Sequence, residues 1–99
     1  MKPKIAVFFV DNVNYSKLQK ISPHEFSSSY EEYAEHVDQR NRQASQEVVP
    51  VKVYANIDKF ISWCAASKIN PDDSAARAAY AGIVFSRCSL HDASFVVDD

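Results

Sequence analysis

Two stretches of the chain have the apolar patterns of β-strands. Residues 4–11 contain six consecutive apolar positions, which is typical of a central strand that is covered on both faces. Residues 47–55 also follow the period of a strand. Val49, Val51, Val53 and Ala55 form one alternating set, and Val48, Pro50, Lys52 and Tyr54 form the other. Because Pro50 has no N–H to donate, we expect this second strand to lie at the edge of a sheet.

Capping residues and apolar spacing predict two helices around the second strand. Ser28 and Ser29 each stand three residues before a glutamate, and in this arrangement the hydroxyl and the carboxylate cap a helix start. The helix that follows should end near Gln46. Asn56 is placed to cap the next helix. From Ile57 onward, apolar residues recur at intervals of three and four, so this helix has one apolar face.

A further helix and a last strand are predicted towards the end of the chain. Asn70 as the N-cap and Pro71 at the first helical position predict the helix start. We expect this helix to continue through residues 83–88, although the bulky apolar residues there would also suit a strand. Residues 93–97 are predicted to form the last strand, and residues 12–27 a loop with a short helical turn.

Together these elements predict an α/β (or α+β) fold for residues 1–99, in the order β-α-β-α-α(-β). A small sheet of two or three strands would be covered by about three helices, mainly on one side. A chain of 99 residues has the length of one domain.

Composition narrows the classes of function. Apolar residues make up 46% of the chain, which is enough for a packed core. The formal net charge of −2 gives no basic surface, so we expect no nucleic-acid partner. The longest apolar run has six residues, whereas a membrane span needs about 20, so we expect no membrane segment and no signal peptide. The expected location is cytoplasmic, with the two cysteines present as thiols.

The chain has a single glycine, Gly82. Phosphate-binding loops need several glycines, because their backbone approaches the ligand closely and adopts positive φ angles. We therefore expect no nucleotide cofactor and no other cofactor.

Candidate metal and nucleophilic residues are few. Glu32 and His36 lie four residues apart on a predicted helix, but a metal site needs a third ligand that the pattern does not supply. Cys64 falls on an apolar helix face, where a buried thiol is expected. A nucleophilic pair of Cys64 and His91 would require that the fold bring them together.

Asp11 directly follows the first apolar strand, and Asn14 stands three residues further on. This opening, about ten residues long, resembles that of metal-dependent nuclease domains of the NYN and PIN type. The resemblance implies that Asp11 would help to bind a divalent metal at the carboxyl end of the sheet, where open α/β sheets present their sites. Those families place further acidic residues at the ends of later strands.

Aromatic residues are the leading candidates for partner binding. Trp63 lies off the apolar face of its predicted helix, beside Lys59 on the more polar flank. Tyr54 is expected on the outward face of the predicted edge strand, and Tyr15 in the predicted loop. Tryptophan and tyrosine provide large contact areas with few rotors, and an edge strand can accept an added strand. Packing of Trp63 within the fold is the alternative.

Three hypotheses of function follow. The favoured one is a small non-enzymatic protein-interaction module, such as a regulator or inhibitor, that binds another protein or a second copy of itself. The second is a minimal metal-dependent nuclease that uses Asp11 and Asn14. The third is a small-molecule-binding protein with a pocket between the sheet and the last two helices.

Overall fold

The computed structural model describes residues 2–88 and 94–98. Within these ranges the chain forms a three-stranded sheet and four helices. In chain order they are β1 (Lys4–Phe9), α1 (Asn12–Ile21), α2 (Tyr30–Ala44), β2 (Val49–Tyr54), α3 (Ile57–Ser67), α4 (Ser74–Arg87) and β3 (Phe95–Val97). The predicted small sheet with helices is confirmed, with one helix more than expected. None of the helices in these ranges is long and apolar enough to cross a membrane.

β2, and not β1, lies in the centre of the described sheet. The strand order is β1-β2-β3, and both neighbouring pairs are parallel. The predictions of a central first strand at residues 4–11 and an edge strand at residues 47–55 were therefore wrong.

Pro50 fits into the central strand because its nitrogen faces β3, and the described pairing of β2 with β3 does not extend to this residue. The N–H groups of Val49 and Ala55 donate to the carbonyls of Pro3 and Phe9, so odd-numbered residues of β2 face β1 and Pro50 faces the β3 side. On that side β3 pairs with Lys52–Tyr54 and does not reach Pro50. The proline therefore removes no bond from this ladder.

The segment predicted as a loop, residues 12–27, begins with helix α1. Asp11 caps it, and its carboxylate accepts from the N–H of Asn14 at 2.8 Å. Tyr15 and Leu18 are the only fully buried side chains of α1. The loop prediction was wrong here because two buried positions make too short an apolar stripe for periodicity to reveal.

Helix α4 begins later than the sequence pattern predicts. Its N-cap is Asp73, whose carboxylate accepts from the N–H two residues further on at 2.9 Å. Asn70 instead accepts from the N–H of Asp72 at 3.0 Å and forms a turn before the helix. α4 then runs without interruption to Arg87, which confirms the predicted continuous helix.

Helices cover both faces of the sheet, so the prediction of cover mainly on one side was wrong. Phe8 and Phe9 are neighbours in a strand and point to opposite faces. Phe9 stacks on Tyr33 of α2 with ring centroids 5.4 Å apart, whereas Phe8 meets Phe60 of α3 edge-on at 5.4 Å. Tyr80 of α4 also meets Phe60, at 5.3 Å, which puts α4 on the α3 face.

The α2 face of the sheet is less completely covered than the α3 face. Val51 and Val53, which point towards α3 and α4, are buried. On the other face, Phe95 and Val97 of β3 are 53% and 52% exposed. The α2 face is therefore covered over β1, where Phe9 is buried, and exposed at β3.

Candidate functional site

A cleft of about 690 Å³ runs along the outer edge of β1. Residues 6–8 of β1 form its floor. One wall is α2, and the other consists of the connection between α1 and α2 together with the first turns of α4. Two helices on opposite faces of the sheet thus enclose a strand edge.

The backbone at the floor of this cleft has free hydrogen-bonding groups. In a parallel strand, the N–H and C=O of one residue point to the same side. The carbonyls of Pro3 and Phe9 accept from β2 at 2.8 and 2.9 Å, so the odd-numbered residues of β1 face β2. Ala6 and Phe8 face the cleft, and within residues 2–88 and 94–98 their N–H and C=O groups have no hydrogen-bond partner.

The open edge of β1 ends at Val10. Its carbonyl accepts from the Tyr30 hydroxyl at 3.0 Å. Beside it, Tyr33 stacks between Phe9 and Tyr15, with centroid distances of 5.4 and 4.7 Å. Burial raises the pKa of Tyr33, so its hydroxyl stays neutral and can donate or accept at this end of the cleft.

The α2 wall has an apolar base and a charged rim. Tyr33 and Val37 are buried, whereas Glu32, His36 and Arg40 are exposed, and all five line the cleft. The three exposed residues are spaced four apart and therefore lie along one face of the helix. The rim changes from acidic to basic over two helical turns.

α2 runs antiparallel to β1. Its first turn packs on Phe9 at the carboxyl end of β1. Beyond its last turn, the Ser45 carbonyl accepts from Lys2 Nζ at 2.6 Å, next to the amino end of β1. Glu32 therefore lies towards the carboxyl end of the open edge, and Arg40 lies towards the amino end.

The opposite wall contains a buried arginine whose contacts fix it in place. Arg77 forms an ion pair with Glu25, and its guanidinium lies 5.0 Å from the ring centroid of Phe26. It also donates to the Asp72 carbonyl at 3.4 Å. A buried guanidinium is tolerated only with such partners, so this wall is held by its own contacts.

Asp11 and Asn14, the residues of the nuclease-like opening, join two helix starts. Asp11 Oδ1 accepts from both the backbone N–H and the side-chain amide of Asn14, at 2.8 and 3.0 Å. Asn14 Oδ1 accepts from the N–H of Ile57 at 3.0 Å. Among the described residues, no group of three or more His, Cys, Asp or Glu side chains is placed to hold a metal. The hydrogen bonds of Asp11 and Asn14 therefore connect the first turn of α1 to the first residue of α3.

Trp63 is partly used in packing. Its ring lies 6.4 Å from that of Phe60 and 5.4 Å from that of Tyr80, and it is half-buried. Lys59, on the same helix, is exposed. Partner binding by this pair stays a prediction, and neither residue lines the cleft.

The two predicted tyrosine contacts differ in accessibility. Tyr54 is half-buried between Phe9 at 5.1 Å and Phe95 at 5.6 Å. Tyr15 is 2% exposed, and its hydroxyl donates to the Ser28 carbonyl at 2.8 Å. The expectation of an accessible Tyr15 was wrong, because the segment is helical and the ring faces the core.

The structure describes one member of the predicted Cys64–His91 pair and both members of the Glu32–His36 pair. Cys64 is buried, and burial raises the pKa of its thiol. Its proposed partner, His91, lies outside the described residues. His36 and Glu32 are both exposed on the cleft rim.

Sequence patterns did not identify the cleft, since Ala6 and Phe8 become an open edge only through the strand order. One signal was present in α4. Arg77 is the one charged residue between positions 74 and 86 and is flanked by alanines. A charge that becomes buried in such a helix needs a partner. That requirement pointed to a carboxylate from a distant segment, which is Glu25.

No curated protein and no solved structure gives a significant match to the chain. A family model matches residues 2–90, a range that includes the whole cleft. The family is described as a domain of unknown function. The chain belongs to this family, DUF8829.

Proposed function

We propose that the chain is a non-enzymatic protein-interaction module that binds an extended segment of a partner protein as an added strand along β1. The observation that carries the proposal is the backbone of Ala6 and Phe8 at the floor of the cleft, which has no hydrogen-bond partner among the described residues. Strand addition uses such backbone groups for affinity and the flanking side chains for specificity.

The walls of the cleft support one added strand in preference to sheet-to-sheet association. An open strand edge usually promotes aggregation unless it is short or covered. Here α2 and α4 stand on either side of the edge, so a single extended segment fits between them. A segment in the cleft would lie about 4.8 Å from β1, the usual spacing of paired strands.

A proline substitution tests the edge directly. Ala6→Pro removes an N–H that faces the cleft and leaves the bonds from β1 to β2 intact, so we expect a folded protein that loses binding. Val97→Pro is the matched control, because the N–H of Asp98 donates to β2 and that of Val97 therefore faces outward at the opposite edge.

The measurement is a selection of displayed random ten-residue peptides on the wild-type chain, followed by affinities for both variants. We expect selected peptides to lose at least tenfold in affinity for Ala6→Pro and to keep their affinity for Val97→Pro. Circular dichroism and thermal unfolding verify that both variants fold. Peptides that bind Ala6→Pro as tightly as the wild type would contradict the proposal, as would a selection without binders.

A small-molecule pocket is the second candidate function. The cleft volume of about 690 Å³ lies within the range of small-ligand sites, roughly 300–1,000 Å³, and Glu32, His36 and Arg40 provide polar groups at its rim. N-methylation of the selected peptides separates the two functions. It should abolish binding where backbone hydrogen bonds to β1 are used, and should leave a side-chain-directed pocket ligand little affected.

By holding an extended segment of its partner, such a module would act as a regulator or inhibitor. We place this interaction in the cytoplasm, on the composition of the chain, and cell fractionation tests the location.

A further inference from the structure

The rim of the cleft has an order of charge that gives an added strand a direction. Glu32 lies towards the carboxyl end of β1 and Arg40 towards its amino end, with His36 between them. Glu25, on the opposite wall, is already paired with Arg77. Glu32 and Arg40 are therefore the two charged side chains of the cleft that are left for a ligand. Within residues 2–88 and 94–98, the one polar contact of their side chains is a weak hydrogen bond from the Ser29 hydroxyl to Glu32, at 3.3 Å.

We propose that the cleft selects an extended peptide that runs antiparallel to β1 and carries a basic residue followed, four positions later, by an acidic one. This inference rests on the proposed function. The basic residue would meet Glu32, and the acidic residue would meet Arg40.

The spacing follows from the geometry of the two elements. Arg40 follows Glu32 by eight positions, which is about 12 Å along a helix. Four residues of an extended strand span about 13 Å, and alternate side chains share one face. The charged pair of the peptide therefore sits at positions i and i+4. Position i+2 lies over the buried base of the α2 wall, at Tyr33 and Val37, and suits an apolar residue.

The antiparallel direction follows from pairing energetics and from the fold. Antiparallel pairs are slightly more stable per residue than parallel ones, and an antiparallel strand at the edge of a parallel sheet is a common arrangement. In that direction the amino end of the peptide lies at the carboxyl end of β1, beside Glu32.

Two capped peptides of identical composition test the charge order. One is acetyl-Ser-Arg-Ser-Val-Ser-Glu-Ser-amide, and the other has Arg and Glu exchanged. Each carries a fluorophore, and anisotropy gives its affinity. We expect the first to bind wild type about tenfold more tightly, since two rim ion pairs replace two like-charge contacts. In 1 M NaCl the difference should shrink, because salt screens exposed charges.

A charge exchange on the protein should reverse the preference. The variant Glu32→Lys/Arg40→Glu is expected to prefer the exchanged peptide. Because Glu32 also lies in the first turn of α2, Arg40→Glu alone serves as a second variant that leaves the helix start unchanged. It should lose most of the preference of the wild type for the first peptide.

The outcomes separate this inference from the function on which it rests. Equal affinity of the two peptides for wild type, lost for both in Ala6→Pro, overturns the charge order and leaves strand addition standing. Failure of both peptides to bind wild type overturns the charge order, and the displayed-library selection then decides on strand addition alone. A spin label on the peptide's amino end should broaden amide resonances near Phe8, and broadening near Lys4 instead overturns the antiparallel direction.

Discussion

Asn14 shows how one side chain can serve two helix starts. Its amide donates to the carboxylate that caps α1, and its carbonyl accepts from the N–H of Ile57, the first residue of α3. The sequence motif around it resembles a metal-binding strand end. An aspartate that follows an apolar strand can also be the N-cap of a helix, and the hydrogen bonds from Asn14 show that Asp11 has this role. The second bond, to a residue 43 positions away, was beyond any local pattern.

Replacement of Asn14 by alanine should lower the free energy of unfolding by about 1–2 kcal/mol, because the partly buried N–H of Ile57 loses its acceptor. Urea denaturation measures this change. Asn12→Ala is the matched control, since Asn12 is an exposed asparagine of the same helix, and its loss should cost less than about 0.5 kcal/mol. Equal costs for the two variants would contradict the role given to Asn14.

Helix starts were predictable where the candidate capping residues are adjacent, as at Ser28 and Ser29, or where one stands alone, as at Asn56. Ser29 accepts from the N–H of Glu32, and Asn56 accepts from that of Lys59, both at 3.2 Å. These bonds reach three residues along the chain, so the sequence contains all that they need. Before α4, however, Asn70 and Asp73 both have acceptor side chains at plausible positions. The local rule for proline at the first helical position favoured Asn70, but the observed N-cap is Asp73.

Removal of the observed cap should be the more costly change. Asp73→Ala is expected to lower the free energy of unfolding by about 1 kcal/mol, since a first-turn N–H loses its acceptor. Asn70→Ala, which loses only a turn contact outside the helix, should cost less. Thermal unfolding of the two variants at one pH makes the comparison, and a larger loss for Asn70→Ala would place the helix start where the sequence pattern put it.

At the level of the entire fold, two buried tyrosines make the free energy of unfolding depend on pH in the alkaline range. Burial and the hydrogen bond that Tyr80 donates to Asp98, at 2.5 Å, raise the pKa of Tyr80 above its ordinary value of 10.0. Burial raises that of Tyr33. In the unfolded chain both side chains ionise near pH 10. Their contribution to stability is therefore complete below pH 10 and is lost as pH rises from there through the folded-state values.

We accordingly expect the Tm to fall progressively above pH 10, with no contribution from these two groups to any change between pH 8 and 9. Calorimetry across pH 8–11.5 measures this dependence. Tyr80→Phe, which loses the hydrogen bond to Asp98, should be less stable at pH 8, and both Tyr80→Phe and Tyr33→Phe should show a shallower fall of the Tm above pH 10. A Tm that stays constant to pH 11.5 would contradict the prediction.

The arrangement of the sheet determines where the candidate site lies. β1 reads as an interior strand because its residues are apolar on both faces, and both faces are indeed covered, by α2 and by α3 with α4. In the part of the chain that the structure describes, its outer edge is nevertheless open at Ala6 and Phe8, because burial of the faces and pairing of the edge are independent. The pattern of apolar side chains predicts which faces of a strand are buried, but it does not predict whether the edge of the strand is paired.

The amino-acid sequence alone determines the features of this protein that depend on interactions between residues close together in the chain. The strands, two of the helix starts and the continuous α4 depend on apolar spacing and on hydrogen bonds that reach three or four residues along the chain. Other features depend on contacts between segments tens of residues apart. They are the strand order, the position of Pro50 in the central strand, the pairing of Arg77 with Glu25 and the cleft beside β1. Such contacts form only when helices and strands pack together, so the candidate site emerges from the assembled fold.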